Sequence, residues 1–425
     1  MARRRAVHAA DAHPRLPPYL PPQPLPVGFV AGLRDALGTP VTMLFVFVLG
    51  LVAAHAFLGE SVSTACMVKT FEAGGVVDGF LPWESSKHWD AYREADAGAT
   101  VPRPKLIEDL AALLRPNATK QYALVVGESG TGKSTAVRAA VRSLPHPKGA
   151  IYFSAPENMV TFHSDLEEAT GYFRPFDPLA SFSNWWGGQN LNVGSSSDML
   201  SGWAAPRKAL KLAADAFRMK HGRPAVLVID AADYIAKQEP IFFARLQDFA
   251  KVCADAGSLR IVFVSSEGVA LPLMKLSSAW SRALPPYEVQ DIGDLEAVEY
   301  LVERGVDRPR AEEAVRDITG GRFALLLYVA SAASVKSIKA IRHELNTRTD
   351  TALLELGLTP NHPFFRELCT LKTTSNAAIS LLSKDKIDAL LKANIIAAHP
   401  DDTYSTHARH VEVFLRDAFG VLAEV

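Results

Sequence analysis

Cysteine is scarce in this sequence. The three thiols, Cys66, Cys253 and Cys369, lie far apart and match neither a paired metal-ligand spacing nor a disulfide framework, so a core and not covalent staples must hold the fold. An excess of either charge is missing too: 45 lysines and arginines stand against 46 acidic residues, which gives no general reason to expect nucleic acid as a partner. Any basic surface must be local. What is abundant is apolar residue, 48% against 21% charged, enough for a sizeable core in a chain long enough for more than one domain.

The stretch GESGTGKST, Gly127 to Thr135, has the spacing G-x-x-x-x-G-K-[ST] at Gly127, Gly132, Lys133 and Ser134. Its flanks carry as much weight as the match. YALVV before it suits a buried parallel strand, and Val137, Ala140, Val141 and Leu144 after it repeat at helical spacing until Pro145. In such a loop the backbone N–H groups from Gly127, Glu128, Ser129, Gly130, Thr131 and Gly132 to Ser134 and Thr135 turn toward phosphate oxygens at a helix N-terminus. Lys133 is expected to reach the β and γ phosphates, and Ser134 to offer its hydroxyl to Mg²⁺. The Glu128 side chain is expected to face solvent.

A second carboxylate comes from AVLVIDAAD, where an apolar run ends in Asp230. At the carboxyl end of a neighbouring strand it becomes a Mg²⁺ contact, a role compatible with capping the following helix, the less favoured reading. Asp233, three residues on, is the provisional water-orienting group. LRIVFVSSE reads as a further parallel strand, its end serines as a phosphate sensor or plain turn chemistry. Arg282 precedes a fifth strand expected at Tyr287–Gln290. There it either reaches a neighbouring subunit's nucleotide in a homo-oligomer or is solvated.

Ahead of this core, residues 1–40 are a leader rich in arginine and proline but without serine. VTMLFVFVLGLVAAHAFLG, Val41 to Gly59, then spans about 28 Å as a helix, close to a bilayer core, with no charge and apolar residues on all faces. It reads as a single transmembrane helix, followed by a linker over 60–101. Arg3, Arg4, Arg5, Arg15 and Arg34 precede it, against Lys69, Lys87 and Arg93 after it, which puts the N-terminus on the cytosolic or matrix side. A nucleotide user on the far side needs ATP there, which favours the mitochondrial inner membrane.

From Pro102 to Val425 the chain resembles the archaeal-type and STAND branch of the AAA+ ATPase superfamily. GESGTGKST, VLVIDAAD and the segment from YEVQDIGDLEAVEYLVERGV to DITGGRFALLLYVA carry the resemblance. It implies an α/β P-loop NTPase core with a parallel sheet over 102–291, a helical lid over 292–346 and a winged-helix-like domain over 347–425. ATP and Mg²⁺ are the implied ligands, and Arg322, after Gly320 and Gly321, the implied lid arginine near phosphate. The implied activity is ATP hydrolysis that drives a conformational change on a protein partner.

Two departures bear on that activity. Ala231 stands where the family often has the second of an acidic pair, and Glu267 where it has an arginine after the sensor strand. They weaken hydrolysis and nucleotide-driven assembly more than binding, so an ATP switch without effective hydrolysis stays open, as does an origin-recognition-like DNA ATPase. From Asn361 onward seven basic residues meet eight acidic ones, and Asp401 and Asp402 at the wing tip would repel phosphate. Protein contact is therefore preferred to DNA. The insertion SFSNWWGGQNLNVGSSSDMLSGW, Ser181 to Trp203, is either a partner-binding loop with exposed aromatics or a loop folded over the core.

Overall fold

Runs of valine, isoleucine, leucine and phenylalanine buried on both faces require helices on either side of a sheet, and parallel pairing suits that environment. In the computed structural model these runs are β1 (Ala123–Val126), β2 (Ala150–Ser154), β3 (Ala225–Asp230) and β4 (Leu259–Val264), with a short β5 (Tyr287–Glu288) at one edge. All pair in parallel in the order β2-β3-β4-β1-β5. The structure describes residues 61–74, 103–116, 120–173, 196–266, 268–371, 381–401 and 403–419, together with residues 43, 44, 47 and 50.

Side chains alternate across the sheet with period two. Leu124, Ile151, Phe153, Leu227, Ile229, Ile261 and Phe263 point to one face. Val125, Tyr152, Val226, Val228, Val262 and Val264 point to the other. The first face is covered by the helices Phe162–Thr170, Ser196–His221 and Pro240–Ala256, the second by Pro104–Leu113 and Lys133–Ser143. Each fully buried phenylalanine on the first face contributes about 2–3 kcal/mol. Because β4 lies between β1 and β3, the Asp230 strand is not the direct neighbour of the glycine-loop strand, which corrects the sequence expectation.

The stretch expected to be a linker from residue 60 is not one at its start. Residues 61–73 form a helix whose Ser63, Met67 and Phe71, spaced by four, are fully buried, with Phe71 against Phe217 at a ring-centroid distance of 6.0 Å. The expected span Val41–Gly59 lies outside the described residues apart from positions 43, 44, 47 and 50, which are helical and exposed. Among the described residues no helix is long and apolar enough to cross a membrane. Most of the tryptophan-rich insertion is likewise outside the described residues. Its last tryptophan, Trp203, is 3% exposed and packs edge-on against Phe242 and Phe249, so this ring is core and not a surface anchor.

After β5 the chain forms a helical unit, Asp294–Glu303, Arg308–Ala314 with a π turn over Val315–Thr319, and Phe323–Ala332. The helix Ile338–Glu355 follows; its Ile341 and Leu345 join that unit's core, and its Leu353 joins the next one. The boundary expected at 346/347 therefore falls inside a helix that belongs to both units. The last unit comprises the helices Pro363–Leu371, Lys384–Lys392 and Arg409–Ala418 with an antiparallel hairpin of β6 (Ile396–Ala398) and β7 (Tyr404–Thr406).

Candidate nucleotide site

The glycine loop leaves β1 at its carboxyl end and enters the helix Lys133–Ser143 through Gly132, which sits in the left-handed region and gives no side-chain cap. The first N–H groups of that helix thus face outward without an intrahelical partner, which is the donor set an anion needs. Gly127 (φ +151°) has no room for a side chain: a Cβ would stand 2.4 Å from the Val289 carbonyl oxygen. The cradle is clamped from two sides. Arg103 donates to the Thr131 carbonyl at 3.2 Å and the Gln290 carbonyl at 2.8 Å, and the Ala324 N–H donates to the Gly130 carbonyl at 3.0 Å.

Lys133 is 3% exposed, and its Nζ donates to the Glu128 carbonyl at 2.5 Å and lies 3.4 Å from Thr131 Oγ1. Burial pulls its pKa down to about 8, against the opposing pull of Glu128 and Asp230. Ser134 and Thr135 follow in the first helical turn, as the motif requires; the Ser134 carbonyl accepts from Arg138 Nε at 3.3 Å.

Asp230 ends β3 with 3% exposure. Tyr152 of β2 donates its hydroxyl to Oδ2 at 2.5 Å, and the Ala231 N–H donates to Oδ1 at 2.7 Å. Ala231 holds a left-handed backbone (φ +54°), unusual for a residue with a Cβ and costing on the order of 1 kcal/mol. Asp230 and Ser134 offer only oxygen ligands, which suits Mg²⁺. Among the described residues no group of three His, Cys, Asp or Glu side chains could hold a metal ion.

Asp233 is also buried, but its carboxylate is engaged elsewhere. Oδ1 accepts from Ser265 Oγ at 2.9 Å and from the N–H groups of Val269 and Ala270 at 3.2 and 3.1 Å, and Oδ2 accepts from the Ser266 N–H at 2.6 Å. It fastens the loop after β4, and the Ser265 hydroxyl is spent on it. Arg282 sits at the opposite edge of the sheet, beside the start of β1, where its carbonyl accepts from the Tyr122 N–H at 3.0 Å and its Nε pairs with Asp255 at 2.7 Å. Four residues of β1, about 13 Å, separate it from the loop.

Arg322 is brought to the loop. At 4% exposed it forms a fork on Asp291 (2.7 and 3.1 Å) and donates to the Ser129 carbonyl at 2.9 Å and the His407 carbonyl at 2.6 Å. The Gly320–Gly321 turn makes this possible, because a Cβ on Gly321 (φ +87°) would lie 1.9 Å from the Ile292 carbonyl oxygen.

The Glu128 side chain corrects the expectation of solvent exposure. It turns into a cleft between the loop, Ser265–Ser266 and the β6–β7 hairpin, 3.6 Å from His407 Nε2, and burial raises its pKa to about 7. His399 of the hairpin bridges Glu288 and Ser405, both at 2.8 Å, and Lys275 donates to the Pro400 carbonyl at 3.0 Å. Sequence reasoning missed Tyr152, Arg103, Asp291 and His407. Only Tyr152 left a signal, as a phenol in an apolar strand beside the Asp230 strand.

Residues 101–262 match the AAA ATPase domain family. The chain carries an AAA+ P-loop NTPase domain. The match ends before the helical unit that follows β5 and before the C-terminal unit, and no curated protein matches the sequence. Among solved structures the chain is similar to the Walker-type ATPase of Pyrococcus abyssi, at 18% identity and a TM-score of 0.49, covering 75% of this chain and 96% of that one. It is also similar to the Aeropyrum pernix Orc1 protein, solved in complex with DNA, at 17% identity and a TM-score of 0.40, covering 76% and 95%. Cdc6p of Pyrobaculum aerophilum follows at 12% identity and a TM-score of 0.33, covering 83% and 97%. At these values the structural likeness carries no argument about activity.

Proposed function

We propose that the AAA+ domain is a magnesium-dependent ATP switch with slow turnover, whose nucleotide state is passed to the lid and the C-terminal unit and from there to a protein partner. One observation carries the reading: the uncapped helix N-terminus behind Gly132, buried Lys133 and buried Asp230 gather at one sheet edge. Lys133 neutralises phosphate charge, and Ser134 and Asp230 hold the ion, which supplies further neutralisation at the β and γ oxygens when bound. Slow turnover follows from the four donors on Asp233 and from Ala231 in the place of a second acid. Arg322 is the coupling residue, since one guanidinium touches the loop, Asp291 and His407.

The C-terminal unit is read as a winged helix that contacts protein, and the Val41–Gly59 run as a single membrane anchor. Calorimetry with Mg²⁺ and ATP tests the core of this: saturable heat with the wild type and none with Lys133→Ala is expected. Single-turnover hydrolysis then separates switch from motor, because phosphate release as fast as nucleotide exchange would remove the switch.

A further inference from the structure

The edge strand β2 reads AIYFS, with a single phenol among its buried residues. Tyr152 is 6% exposed, and a phenol at that depth needs a partner for its O–H. The register with β3 supplies one. Ser154 stands directly beside Asp230, and Tyr152 lies two residues earlier on the same face of the sheet. A diagonal neighbour of this kind is within reach of an aromatic side chain that leans along its strand. The hydroxyl accordingly donates to Asp230 Oδ2 at 2.5 Å.

Two further features tie this contact to the ion site and not to the sheet alone. Asp230 accepts one bond on each oxygen, from Tyr152 on Oδ2 and from the Ala231 N–H on Oδ1. A carboxylate has about four acceptor positions, so each oxygen keeps one for a cation while the two donors fix the plane of the group. The Tyr152 ring is also held from the helix that carries Ser134. Half-buried Arg138 donates from Nε to the Ser134 carbonyl at 3.3 Å, and its guanidinium lies 5.9 Å from the centre of the ring. Arg138 and Tyr152 therefore join Ser134 to Asp230, although β4 separates the Asp230 strand from the glycine-loop strand.

From this chain of contacts we propose that Tyr152 is a positioning residue for magnesium: its phenol holds the Asp230 carboxylate in the attitude that receives the ion, and it acts on the ion only through Asp230. The inference rests on reading Asp230 as a magnesium contact. Phenylalanine at this position fills the same space and leaves the carboxylate to the Ala231 N–H alone.

Calorimetry on the full-length protein tests it, with ATP titrated once in excess Mg²⁺ and once in EDTA. The ratio of the two affinities is the contribution of the metal. Tyr152→Phe should leave the affinity in EDTA unchanged and cut the ratio about tenfold, the size of effect that follows loss of a residue orienting a metal ligand. In an Asp230→Asn background the same substitution should change the ratio no further, because its effect passes through that carboxylate. 4-Aminophenylalanine at position 152 keeps an N–H donor at the end of the ring and should restore the ratio.

An unchanged or larger ratio in Tyr152→Phe overturns the role of Tyr152, as do equal losses with and without magnesium, equal losses in both backgrounds, or an amino ring that restores nothing. A Tyr152→Phe chain that does not fold overturns it as well, since the phenol then serves the sheet and not the ion. Wild-type affinity that is indifferent to magnesium, or an Asp230→Asn chain that keeps the full ratio, overturns the reading of Asp230 itself and this inference with it.

Discussion

Glu128 is where burial and charge conflict most directly. Its folded pKa of about 7 lies above the ordinary 4.5, so between these values the folded protein holds a proton that the unfolded chain has lost. Stability from this group is therefore full below about 4.5, falls as pH rises toward 7 and stays reduced above it. Glu128→Gln should remove that fall and stabilise the protein above pH 7 by at most about 3 kcal/mol. It should also tighten ATP binding at pH about 8, where the wild type places a carboxylate beside incoming phosphates, and change it little at pH about 6. Chemical denaturation and calorimetry at the two pH values check both statements; equal affinities at pH about 8 would place Glu128 away from the phosphates.

At the scale of elements, the loop after β4 depends on Asp233 and the helical unit after β5 on its glycine turn. Asp233→Ala leaves the Ser265 hydroxyl and three N–H groups without their acceptor, and should lower stability on the order of 3 kcal/mol. Thermal unfolding reads this, and ATP affinity should change less than tenfold. A large loss of single-turnover rate with unchanged stability would instead assign Asp233 to the water.

Gly321→Ala forces a Cβ against the Ile292 carbonyl and strains a left-handed backbone, so the turn must shift and carry Arg322 off the loop. Faster proteolysis within residues 294–332 and weaker ATP binding are expected, while the sheet stays folded. The Gly320–Gly321 turn was legible from DITGGR in the sequence. The bonds of Arg322 were not, because Ser129 and His407 lie 193 and 85 residues away from it.

For the whole molecule, the central fact is that the C-terminal hairpin packs over the glycine loop. His407 and His410 are held there uncharged, their pKa values lowered to about 3 and about 4 by burial and by Arg322. The unfolded chain takes up protons near 6.5 and the folded one does not, so this stability is present above 6.5 and lost as pH falls toward 4 and 3. Hydrogen exchange in residues 396–407 should therefore accelerate in mild acid before the sheet loosens. His407→Gln should reduce that sensitivity; exchange that rises equally in hairpin and sheet would mean the units unfold as one.

Sequence alone determined whatever depends on neighbours along the chain. The glycine loop between strand and helix, the strands buried on both faces and Asp230 at a strand end follow from local periodicity and from backbone angles that only certain residues adopt. Tertiary structure decided what depends on residues distant in the chain. It placed β4 between β1 and β3, seated Ser63, Met67 and Phe71 of the helix 61–73 in the core, spent Asp233 on the neighbouring loop, sent Arg282 to the far edge and turned Glu128 toward His407. Each of these outcomes follows from which surfaces exclude water together, and spacing along one chain carries no record of that.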